Sequence, residues 1–150
     1  MELKLDDPEF VNSILYPSWS YCFNAECPRS NECICFISSK FIPAGKEWGN
    51  AIYPNACHDG NCRHFLRARV VKAAWGMKGL YDQVKHRDMA VLISRAKGLL
   101  GGHTAYYRYY RGEMHLSPEQ QGMVNQLFAE FGYEAPRFDH YQEEVDFINK

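Results

Sequence analysis

All six cysteines of this 150-residue chain fall between Cys22 and Cys62, and the 88 residues that follow contain none. That asymmetry constrains the fold more than any other feature. A segment carrying so many thiols must bury them, oxidise them or give them to a metal, and each choice demands that distant parts of the segment meet. The N-terminus, Met1-Glu2-Leu3-Lys4-Leu5-Asp6-Asp7-Pro8, lacks the basic start and apolar run of a secretory leader. No apolar stretch approaches the roughly 20 residues that span a bilayer. The expectation is a soluble, cytoplasmic chain with no membrane partner and no structural disulfides.

The cysteines read C-x4-C-x5-C-x-C-x21-C-x4-C. Cys22, Cys27 and Cys33 from one stretch, with Cys62 from a later turn, would supply an all-thiolate tetrahedral site. Cys57, His58 and His64 are neighbouring substitutes. Zinc is the cofactor this donor set suggests, with an iron–sulfur cluster or no metal as the alternatives. The short C-x2-C knuckles of common zinc sites are missing, so packing as small apolar side chains stays open. Redox or nucleophilic chemistry is the third reading. Cys57-His58-Asp59 sets a thiol beside an imidazole, although sequence neighbours rarely face each other as catalytic partners do.

The formal net charge of −1 conceals a strong segregation. Residues 1–62 carry net −4, residues 63–111 net +9, and residues 112–150 net −6. A block so basic suits a polyanion, DNA or RNA. It equally suits internal pairing with the acidic flanks, or docking to a protein partner. At its end stands Thr104-Ala105-Tyr106-Tyr107-Arg108-Tyr109-Tyr110-Arg111-Gly112. As a helix, this segment puts Tyr106, Tyr109 and Tyr110 on one face, with Thr104, Tyr107, Arg108 and Arg111 on the other. The outward set could contact phosphates or base edges, with Arg63, Arg67, Arg69 and Lys72 adding phosphate contacts.

Helical spacing runs through the C-terminal part. Residues 70–84 predict one helix, interrupted by Gly76 and Gly79. Residues 87–100 predict a cleaner one through Met89, Leu92, Ile93, Ala96, Leu99 and Leu100. Gly101-Gly102 separates it from the tyrosine–arginine helix, which Gly112 closes. Ser117-Pro118-Glu119-Gln120 reads as a capping box opening a helix through Val124, Leu127, Phe128 and Phe131. Residues 139–148 predict a last helix, with Glu143, Glu144 and Asp146 solvated. Near the N-terminus, residues 48–53 predict a weak strand, and Trp19, Trp48 and Trp75 are expected in the core or at a subdomain interface.

The helix, Gly101-Gly102 turn and Tyr107-Arg108 helix closing on Gly112-Glu113 resemble the helix–turn–helix of small bacterial and phage regulators. Gly102 stands where those regulators carry an apolar residue, and the turn is about one residue shorter. Over most of its length the chain is similar to a family of small uncharacterised proteins from Bacteroides-type gut bacteria. The resemblance rests on Cys22-Phe23-Asn24-Ala25-Glu26-Cys27-Pro28 with Cys33, then Cys62, then Tyr106-Tyr107-Arg108 leading to Leu116-Ser117-Pro118-Glu119-Gln120-Gln121. It implies that Cys22, Cys27, Cys33 and Cys62 form the family's set, with Cys35 and Cys57 as additions, and it implies no activity.

The architecture expected is mainly α, a single domain over residues 1–150. A loop-rich, cysteine-containing lobe, residues 1–64, would precede a helical body of four or five helices, residues 65–150. The function expected is non-enzymatic: regulatory nucleic-acid binding with a structural metal site. The alternatives are a protein-interaction scaffold with buried reduced cysteines, and a thiol or iron–sulfur redox protein.

Overall fold

The computed structural model describes residues 1–150 and corrects the mainly α expectation. Five helices are joined by six strands in three two-stranded sheets, which makes a mixed α/β fold. The chain forms two compact units, one of residues 1–70 with 145–150 and one of residues 71–144.

The first unit opens with α1 (Pro8–Ser13), where Asp7 caps the Glu9 N–H and Pro8 occupies the first turn. Strand β1 (Ser20–Cys22) pairs in parallel with β2 (Asn50–Ile52), Tyr21 lying opposite Ala51. Between them lies α2 (Ile34–Ser39). Its Ser38, fully buried, accepts a 3.0 Å hydrogen bond from the Trp19 indole N–H and donates to the Cys35 carbonyl. No polar atom is stranded by burying that indole. Val11, Trp19, Tyr21, Ile34, Ile37 and Phe65 form the core. Strands β3 (Cys57–His58) and β4 (Asn61–Cys62) make a minimal hairpin. Asp59 and Gly60 both hold positive φ, 51° and 78°, as a two-residue turn of this hand requires.

Two stretches read as helices are strands: β5 (Arg67–Trp75) and β6 (His140–Ile148), which pair with each other. The Ala and Arg residues of 67–75 favour helix by propensity, but tertiary burial of Ala68, Val71, Ala73 and Ala74 overrides it. Gly76 then takes φ of +82°, and a Cβ there would sit 2.9 Å from the Asp139 Cβ. Residues 77–84 follow as consecutive turns, closed by Leu80 N–H to Met77 O and Val84 N–H to Tyr81 O. Their three- and four-residue apolar spacing imitates a helix. In β6 the acidic residues mask the alternation of Tyr141, Val145 and Phe147.

The other helices of the second unit form close to where the sequence places them. They are α3 (His86–Leu99), α4 (His103–Arg111) and α5 (Pro118–Glu130). Gly112 ends α4 in the left-handed conformation, and Ser117 with Gln120 completes the capping box of α5. Leu92, Ala96, Tyr106, Tyr109, Val124, Leu127 and Phe128 meet in this unit's core. Of the three tryptophans, Trp19 is buried and Trp75 half-buried, but Trp48 is 89% exposed, against expectation. It stands on a loop containing Gly45 and Gly49, where no neighbouring element covers it.

Candidate metal centre

All six cysteines of the first unit line one pocket. Cys22 ends β1. Cys27 follows it on a turn in which the Asn24 side chain accepts the Glu26 N–H and the Asn24 carbonyl accepts the Cys27 N–H. Cys33 caps α2 and Cys35 lies in its first turn. Cys57 and Cys62 face each other across the β3–β4 hairpin. Thiols that are up to 40 positions apart in the chain therefore share one space. The free volume there is about 20 Å³, room for a single water-sized guest. Phe65 forms part of the apolar wall, and the Arg29 guanidinium covers its ring at 3.5 Å.

No cysteine is in a disulfide. Cys57 donates to the Cys27 sulfur at 3.8 Å. Cys35 has one S–H and two acceptors in reach, the Cys33 sulfur and the His64 carbonyl at 3.8 Å. A Cys33 thiolate is the stronger acceptor of the two, because it is charged. The Cys35 S–H is the main reason the Cys33 thiol is drawn down to about 5. Backbone bonds from Leu66, Phe36 and Cys35 add to the effect, while burial opposes it. Cys35 is pushed up in turn, first by that same bond and then by burial. Burial pushes Cys22 up, and the nearby Cys33, Cys62 and Cys27 push it further. Burial and the bond to Cys27 likewise raise Cys57. Each thiolate that forms makes the next one harder to form, a penalty that a bound cation would remove.

The thiols surround one space without being drawn onto one point. No three His, Cys, Asp or Glu side chains are grouped to hold a metal ion as they stand. Of the suggested substitutes, Cys57 and His64 border the pocket and His58 does not; both histidines are exposed. The hairpin that places Cys57 against Cys62 had a legible signal, the Asp59-Gly60 pair between two short polar runs.

The residues read as a nucleic-acid surface are divided between the units. Arg63, Arg67 and Arg69 belong to the first, and Lys72, Thr104, Tyr107, Arg108 and Arg111 to the second. Several are already engaged. Arg67 meets Glu32 at 3.2 Å, Arg69 meets Asp146 at 2.8 Å, and Arg111 meets Glu113 at 2.8 Å. The Lys72 ammonium lies over the Tyr141 ring at 5.2 Å. Thr104, Arg108 and Arg63 are exposed, and Tyr107 is half-buried. Counted by compact unit, the charges nearly balance. Residues 71–144 carry nine basic and nine acidic side chains, and the first unit eight and nine.

Two arrangements in the second unit escaped the sequence reading. The Trp75 indole stacks on His140 at 3.9 Å and on His115 at 5.8 Å, and His115 Nδ1 lies 2.8 Å from Glu144 Oε2. Glu144 thus holds a partner instead of belonging to a solvated helix face. The Tyr81 and Tyr106 hydroxyls form the second pair. No periodicity signals either contact, because each joins side chains far apart in the chain.

No helix is long and apolar enough to cross a membrane. The chain belongs to a family of unknown function, DUF6078, whose profile matches residues 4–147. That description carries no source organism and no role for the cysteines. No curated protein matches the chain, and no solved structure does.

Proposed function

We propose that the first unit binds one zinc ion through Cys22, Cys27, Cys33 and Cys62, as the structural knot of a non-enzymatic protein. The observation that carries this reading is the convergence of six unpaired thiols, from separate elements, on a space of about 20 Å³. The choice of four follows from the sulfur contacts. Cys35 is engaged with Cys33 and the His64 carbonyl, and Cys57 donates to Cys27, so these two serve as supporting donors behind the ligands. The remaining thiols would have to close onto the ion from where they stand, and their deprotonation is driven by the cation.

Elemental analysis of protein purified without a metal-affinity tag tests the proposal. About one zinc per chain is expected, lost when any of the four is changed to Ser and retained in Cys35→Ser and Cys57→Ser. Protein that emerges metal-free and refuses added zinc would sink the reading.

A second reading, contact with a DNA or RNA backbone, is favoured by one observation in residues 71–144. Helices α3 and α4 pack together across the Leu100–Gly102 turn, and α4 presents Thr104 and Arg108 to solvent. The Arg111–Glu113 pair and the balanced charge of this unit weigh against it. Duplex DNA and single-stranded RNA titrated over a range of salt decide the matter. Affinity that falls steeply with salt and drops in Arg108→Ala supports the reading; no binding at low salt ends it.

A further inference from the structure

We infer that Cys27 and Cys57 form a redox-active dithiol at the edge of the cluster, whose closure into a disulfide withdraws Cys27 from the metal donors and releases the ion. The metal half of this inference rests on the zinc reading above; the dithiol does not. The two sulfurs lie 3.8 Å apart, in direct contact, although 30 positions separate them in the chain. Pro28, next to Cys27, lies against the hairpin turn that follows Cys57: a Cβ at Gly60 would be 3.5 Å from the Pro28 Cγ. The turn that carries Cys27 thus lies beside the hairpin that carries Cys57. Access separates this pair from Cys33 and Cys35, and the sulfur–sulfur contact separates it from Cys22 and Cys62, which are also partly exposed. Cys27 and Cys57 are both partly exposed, whereas Cys33 and Cys35 are buried at 8% and 3% exposure. A solvent-borne oxidant meets the first pair before the second.

The oxidant class is a small-molecule disulfide. One protein thiolate attacks a sulfur of that disulfide, forming a mixed disulfide and expelling one small thiolate. The second protein thiolate then attacks the protein sulfur of the mixed disulfide and expels the other. One Cys27–Cys57 bond forms and one small-molecule disulfide is reduced to two small thiols; one takes the Cys57 proton, and the other takes the Cys27 proton in metal-free protein or a solvent proton where Cys27 was bound to zinc. Cys27 can no longer ligate, because a disulfide sulfur offers no thiolate charge to zinc. Three donors remain, and Cys57 is consumed with its partner, so it cannot substitute. A small-molecule thiol reverses the exchange and restores the site.

The test uses the full chain loaded with zinc and exposed to oxidised glutathione. Free thiols are blocked at intervals, and mass spectrometry of a non-reducing digest maps the bond while a chromophoric chelator follows zinc. The inference predicts that Cys27–Cys57 is the first bond to appear, with zinc released on the same time course, and that Cys57→Ser keeps its zinc under the same treatment. A first bond joining any other pair, or six free thiols after treatment, overturns it. The same map on metal-free protein decides the dithiol independently, so the zinc reading can fail without obscuring this result.

Discussion

The Tyr81 and Tyr106 hydroxyls bond to each other at 2.9 Å inside the core of residues 71–144. Tyr81 comes from the turns after β5 and Tyr106 from α4, so the bond fastens an irregular segment to a helix. Removing one hydroxyl strands the other where water is excluded. Tyr81→Phe is therefore expected to cost about 1–3 kcal/mol in urea unfolding. Tyr81→Phe with Tyr106→Phe together should cost less than the two single changes added, because neither hydroxyl is then left unpaired. Additive losses would show that the bond is not a coupled pair.

The same pair sets a pH dependence. Burial, first of all, pushes both tyrosines above their ordinary value. The folded state thus holds its phenol protons more tightly than the unfolded chain. That stabilisation is fully present below the unfolded tyrosine value of about 10 and is lost as pH climbs through the folded values. Stability measured across alkaline pH should fall beyond about pH 10, and fall less steeply in the double Phe variant. An unchanged slope would place the responsible groups elsewhere.

Gly112 and Gly122 should respond to alanine in opposite ways. At Gly112, φ is +81°, and a Cβ would lie 2.6 Å from the Trp75 ring. Left-handed backbone alone costs a residue with a Cβ roughly 1–2 kcal/mol, before the indole has to move. Gly122 and Gly98 lie within α5 and α3 with open space where a Cβ would go. Alanine there should stabilise by up to about 1 kcal/mol each, since glycine weakens a helix interior by that amount. Thermal unfolding of the three variants reads this directly.

Much of the second unit was legible in the sequence because its signals are local. The Ser117 capping box, the Gly112 terminator and the apolar stripe of 87–100 each specify their element without tertiary help. Strands β5 and β6 were not legible, because their identity comes from pairing across about 70 residues. The turns at 77–84 carry helical spacing without a helix. The candidate site was half legible. The clustering of cysteines told that the thiols belong together, but contacts such as Cys27 with Cys57 depend on how the β3–β4 hairpin folds back. The basic block is hard to read from the sequence for the converse reason: a charge count along the chain is blind to Glu32, Glu113 and Asp146 standing opposite the arginines in space.

Chelation should loosen the thiol-bearing segments selectively. With zinc removed, backbone amides around Cys22–Cys35 and Cys57–Cys62 are expected to lose hydrogen-exchange protection, while those of α3 and α5 keep theirs. Equal protection with and without chelator would mean the knot holds itself together by packing alone.

Zinc-edge X-ray absorption on the full chain reads the ligands of the thiol site themselves. A first shell of four sulfurs at about 2.3 Å is expected, reduced when Cys22, Cys27, Cys33 or Cys62 becomes Ser. A shell dominated by nitrogen or oxygen at about 2.0–2.1 Å, or a chain that takes up no zinc at all, would contradict that expectation.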